Sequence, residues 1–175
     1  MPGSAILRPV NPREINGVLD ARGRRVAIVA ARFNDFIVAS LLKGACEAWQ
    51  KHGGADNQLL IARVPGAFEL PVAARALALS GRFDAVLALG CVIRGDTAHF
   101  DFVAGEAASG VTRAALDSGV PVIFGVLTVD HVDQALERSA LERGNKGGEF
   151  MEAALETASV LAQLRATASE SGAGK

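Results

Sequence analysis

Four short apolar runs recur along the chain, each followed by a stretch with helical periodicity: "RRVAIVAAR" (24–32), "QLLIARVP" (58–65), "FDAVLALGCVI" (83–93) and "PVIFGVLT" (121–128). None of the four alternates polar with apolar, so each reads as a strand buried on both faces. Strands of that kind separated by helices imply a parallel sheet covered by helices on both sides. The helices are expected from Asn34 as cap to the Gly53-Gly54 stop, near Glu69 to Ser80, near Phe100 to Ser118, briefly after an Asp130 cap, and from about Lys146 to Ala166. Strand then helix is the simple repeat.

At 175 residues, half of them apolar, the chain suffices for one well-packed core and is short for two. The first 24 residues hold three of the six prolines and read as an arm with one short strand around Ala5 to Val10. Residues 25–166 form the single α/β domain, and the small polar tail 167–175 is expected to be disordered. A formal charge of −1 with mixed signs gives no footprint for nucleic acid or an anionic membrane. No apolar run is long enough for a signal peptide or a spanning helix, so a cytoplasmic protein is expected. Cys46 and Cys91 suit neither a disulfide framework nor a zinc site, and no G-x-G-x-x-G, P-loop or H-E-x-x-H is present.

Ligands of open parallel sheets bind beyond the carboxyl ends of the strands. That rule selects "RFND" (32–35), "PGAFE" (65–69), "CVIRGDTAH" (91–99) and "FGVLTVDH" (124–131). Phe33 there either stacks on a flat heterocycle or packs under the following helix as a staple. His99 either moves protons near neutral pH beside a phosphate held by Gly95, Asp96 and Thr97, or is a surface residue at a helix start. His52, before the helix-ending Gly53-Gly54, and His131, which opens a helix beside Asp130, are better suited to a cap or surface role. Arg94-Gly95-Asp96 spells an attachment tripeptide at the end of a buried strand, where adhesion is not expected. Ser40-x-x-Lys43 lacks the partner motifs of penicillin-recognising enzymes.

Taken in order, "ARFNDFI", "VPGAFELP", "DAVLALGCVIRGDTAHFDFV", "GVPVIFGVLT", "QALER" and "GNKG" resemble the lumazine synthase (6,7-dimethyl-8-ribityllumazine synthase) family over roughly residues 24–166. The resemblance implies a flavodoxin-like, three-layer α/β/α sandwich with a central four-stranded parallel sheet. It implies a homo-oligomer, pentamer or sixty-subunit shell, with sites at subunit interfaces and riboflavin synthase as a candidate partner. The implied reaction condenses 5-amino-6-(D-ribitylamino)uracil with 3,4-dihydroxy-2-butanone 4-phosphate, a transferase step of riboflavin biosynthesis without cofactor or metal.

The resemblance also assigns residues. Phe33, Ala67, Phe68, Glu69, Cys91, Val92 and Ile93 would hold the pyrimidine, with Phe124 supplied by an adjacent subunit. Asp96, Thr97, Arg138 and Lys146 would hold the phosphate, Asp96 through its backbone, and His99 would be the proton-transfer catalyst. Where many relatives read "ERAGTKAGNKG", this chain reads "ERSALERGNKG", with Ala140 and Glu142 replacing a Gly and a Lys. Two rival readings are a Cys91 nucleophile with His99 as its base, and a flavin-binding or scaffold protein on the same fold.

Overall fold

The computed structural model describes residues 10–172. Its elements run β1 (Val26–Ala31), α1 (Asp35–Lys51), β2 (Leu59–Val64), α2 (Leu70–Ala78), β3 (Ala85–Ile93), α3 (His99–Ser118), β4 (Val122–Val129), α4 (Val132–Ser139) and α5 (Lys146–Gly172). All four apolar runs are strands of one parallel sheet, in the order β2-β1-β3-β4. The expected four-stranded parallel α/β architecture is therefore present.

Two apolar layers sandwich the sheet. On one face Ile37, Leu41 and Trp49 of α1 meet Met151, Ala154 and Leu155 of α5 over Ile28, Leu87 and Leu89. On the other, Leu70 and Ala74 of α2 and Ala107 and Val111 of α3 cover Ala27, Val29, Val86 and Ala88. Successive strand residues point to opposite faces, so β1 and β3 feed both layers and need apolar residues throughout. β2 departs from the expected double burial, because it is an edge strand: Leu60 and Ile61 are exposed.

Several local expectations are corrected. Asn34 precedes α1 but does not cap it with its side chain. It sits in the left-handed region (φ 57°), and its amide instead donates to Cys91 O at 2.9 Å, a long-range bond that outcompetes the local one. Asp130 does not cap α4 either, for its carboxylate accepts from Arg94 and His131 occupies the cap position. The α2 region opens with a 3₁₀ turn, Ala67–Glu69, before the α-helix begins at Leu70. The last helix continues to Gly172 rather than stopping near Ala166, so part of the tail expected to be disordered is helical, and residues 173–175 lie outside the described residues. Of the strand expected around Ala5 to Val10, all but Val10 also lies outside them, and Val10 is not in a strand.

"GNKG" is explained by packing. Asn145 has φ 37°, and its side-chain oxygen accepts from Gly148 N at 3.2 Å, forming the entry to α5. A Cβ on Gly147 would collide with the Leu41 backbone, so the absence of a side chain there lets α5 lie directly on α1. No helix among the described residues is long and apolar enough to cross a membrane.

Candidate active site

The strand order reverses between β1 and β3, the place where a parallel sheet opens a crevice. β1 pairs with β3 only as far as Leu89, while β3 continues to Ile93 against β4 alone. Beyond Ala31 the chain veers toward β2, since Arg32 N donates to Val64 O at 2.8 Å and Phe33 N to Pro65 O at 2.9 Å. This divergence leaves the β1-facing edge of the β3 exit without a strand partner. Cys91 O points to that side, where Asn34 takes it, and Arg94 N–H points away to Val129 O. Backbone alternation therefore aims the N–H and C=O of Ile93 into the gap as well.

A cleft of about 700 Å³ fills the gap. Phe33, Ala67, Phe68, Glu69, Cys91, Val92, Ile93, Gly95, Thr97 and His99 all line it, so most of the residues singled out from sequence meet in one place. Phe33 is 71% exposed, which excludes the staple reading: its ring stands at the rim, free to face a ligand. Glu69 uses one carboxylate oxygen, Oε2, to accept from Gly66 N at 2.9 Å, fixing the loop over the cleft. His99 is the first residue of α3, within the helix rather than ahead of it, and its N–H points to Thr97 Oγ1 at 3.4 Å. Asp96 is exposed and outside the lining, while Gly95 and Thr97 on either side of it face the cleft.

Burial pushes the Cys91 thiol up to about 11. Cys91 is therefore protonated at neutral pH, the wrong state for a nucleophile.

Sequence reasoning did not single out Phe102 or Val103 as cleft residues. Their three- and four-residue spacing from His99 on one helix was the available signal.

Three other expected residues stand apart within one chain. Phe124, on β4, lines a second cleft with Arg94, Phe100, Thr128 and Asp130. Arg138, at the end of α4, lines a third with Glu137, Arg143 and Gly144. Lys146 opens α5 and pairs with Glu149. Arg138 has no carboxylate partner among the described residues; the one hydrogen bond of its guanidinium there runs from Nη1 to Gln134 O at 3.4 Å.

Comparison with known proteins bears on this arrangement. The family model described as 6,7-dimethyl-8-ribityllumazine synthase matches residues 23–162. Proteins called 6,7-dimethyl-8-ribityllumazine synthase from Nitratidesulfovibrio vulgaris are similar along most of their length. Those of strains DP4 and Hildenborough are each 54% identical over 152 residues, 87% of this chain and 97% of the relative. That of strain Miyazaki F is 53% identical over the same span and shares.

Proposed function

The chain belongs to the 6,7-dimethyl-8-ribityllumazine synthase family, and on that premise we propose that it joins 5-amino-6-(D-ribitylamino)uracil to 3,4-dihydroxy-2-butanone 4-phosphate, releasing phosphate and water. It is thus a transferase of riboflavin biosynthesis. The observation that carries this reading is the cleft at the β1/β3 divergence, which gathers an exposed ring, a free strand edge, a Gly-Asp-Thr turn and a histidine.

Each feature has a task. The uracil edge presents donors and acceptors in a plane, and the N–H and C=O of Ile93 meet it as a neighbouring strand would, with Cys91 and Val92 lining the pocket beside it and Phe33 stacking on its face. The free carboxylate oxygen of Glu69 accepts from a ribityl hydroxyl. Gly95, the Asp96 backbone N–H and Thr97 receive the phosphate of the second substrate.

The 5-amino group attacks the ketone, and loss of water gives an imine. Phosphate then leaves by elimination, and after tautomerisation the ribitylamino nitrogen closes the ring with loss of a second water. His99 accepts the proton from the attacking amine and returns protons to the departing oxygens. Holding both substrates aligned supplies much of the remaining acceleration.

The phosphate also needs positive charge, and no Lys or Arg is among the described residues that line the cleft. Arg138 and Lys146, with Phe124, complete the site from an adjacent subunit, so the working form is a homo-oligomer, a pentamer or a shell built from pentamers. The protein acts in the cytoplasm, and riboflavin synthase, which consumes its product, is a candidate partner.

The test mixes both substrates with the protein and follows lumazine fluorescence and phosphate release. His99→Ala is expected to lower kcat by about a hundredfold. Arg138→Ala is expected to lower kcat/KM for the butanone phosphate by about tenfold to a hundredfold, with little change for the pyrimidine. No acceleration over the spontaneous reaction would leave only the binding-protein reading.

A further inference from the structure

Arg94 is the cation of the β3 exit that the reaction scheme leaves without a role. Its Nε donates to Asp130 Oδ1 at 3.0 Å and its Nη1 to Asp101 Oδ1 at 3.2 Å. The guanidinium carbon lies 4.1 Å from the centroid of the Phe100 ring. These partners come from separate parts of the fold: Phe100 and Asp101 are the two residues that follow His99 in α3, and Asp130 directly follows β4. Asp130 is itself anchored, its N–H donating to Gln134 Oε1 at 2.9 Å. A planar guanidinium can serve two carboxylates while its face covers a ring, whereas an ammonium cannot.

His99 has little else to hold it. Among the described residues its ring takes no hydrogen bond, and it is exposed at the lip of the cleft. Where the imidazole sits is decided by the helical turn that carries it, and that turn is tied to the sheet through Arg94.

We propose that Arg94 is the positioning residue for His99, fixing the first turn of α3 against the ends of β3 and β4 so that the imidazole stands over the reacting atoms. This rests on the reading of His99 as the proton-transfer group. Arg94 lines the cleft of Phe124 and not the one that holds His99; it acts on His99 through Phe100 and Asp101. Misplacement of a catalytic group by a fraction of an ångström to an ångström is costly even when every reacting group is present.

The experiment compares full-length wild-type protein with Arg94→Gln, Arg94→Lys, His99→Ala and the Arg94→Gln/His99→Ala double variant, measuring kcat and both KM values. Arg94→Gln and Arg94→Lys are each expected to lose about tenfold in kcat. Both KM values should stay within about twofold of wild type, because substrate contacts are intact. The double variant should be no slower than His99→Ala, since a positioning effect vanishes with the group it positions.

If His99→Ala is slow and Arg94→Gln multiplies the loss by its full factor, the proposal is overturned while the role of His99 stands. A rise confined to either KM also overturns it, marking Arg94 as a contact of that substrate, in its own cleft or, beside Phe124, in the neighbour's. Wild-type turnover by His99→Ala removes both the proton-transfer reading and the proposal. Should Arg94→Gln fail to assemble, Asp130→Asn opens one arm of the clamp alone. It should cost about threefold in kcat at unchanged KM, and no loss there counts against the proposal equally.

Discussion

Cys91 and Phe33 lie on the same cleft with opposite chemistry. The thiol is buried, with its pKa pushed up to about 11, so Cys91→Ser should keep turnover within about twofold of wild type. A loss comparable to that of His99→Ala in the same fluorescence assay would revive the covalent reading. Phe33 is a ring left in water, a cost that a ligand can recover. The burial of Cys91 is legible in "FDAVLALGCVI", a run that reads as buried on both faces; the exposure of Phe33 is not, since it depends on β1 turning toward β2. Asn34 illustrates the same limit. Its local preference is for a helix cap, and its bond goes to a carbonyl 57 positions away. Helical spacing counted from His99, by contrast, is enough to find Phe102 and Val103.

The elements themselves were readable because their burial is unambiguous. β1 and β3 consist of apolar residues that both helical layers cover, so run length alone located them within a residue or two. β2 was located equally well but its exposure was not, since edge or centre is a matter of strand order. The contact of α1 with α5 yields two predictions.

At Gly147 a side chain has no room against the Leu41 backbone. Gly147→Ala should therefore destabilise the fold by about 2–3 kcal/mol, read as a lower midpoint in denaturant titration.

Farther along, Glu152 on α5 accepts from His52 Nε2 at 2.9 Å and from Lys51 Nζ at 3.3 Å. The His52 hydrogen bond, ahead of the Lys51 contacts, holds its carboxyl below the ordinary 4.5. A depressed carboxyl pKa stabilises the fold above the unfolded value, and that contribution is lost as pH falls through the folded one. The advantage of wild type over Glu152→Gln should thus be full at neutral pH and shrink below about pH 4.5. Equal differences in melting temperature at pH 7 and pH 3 would contradict it.

At the scale of the whole molecule, the distribution of site residues over three clefts predicts complementation. On the proposed assignment, His99→Ala and Arg138→Ala lose different halves of a composite site. Co-assembled at equal ratio from dissociated chains, they should regain about a quarter of wild-type activity, because a quarter of random neighbour pairs restore both groups. Activity that stays at the level of the separate variants would mean that each chain completes its own site. The sequence pointed to Phe124, Arg138 and Lys146 through motif order. That they lie apart from His99 within a chain follows from the placement of β4, α4 and α5, which no local pattern encodes.

The overhang of β3 past β1 has a bearing on drug resistance. A compound that takes its hydrogen bonds from the main chain of Ile93, beside the Cys91 carbonyl that Asn34 holds, is recognised by atoms that every amino acid shares. Point mutations at Ile93 change the side chain and leave those contacts in place. Escape would have to come through Phe33 or the turn at Gly95 to Thr97, which line the same cleft and to which the proposed reaction assigns substrate contacts. Inhibitors anchored along that edge should meet a narrower set of viable mutants than inhibitors that lean on the exposed Phe68 or Phe102.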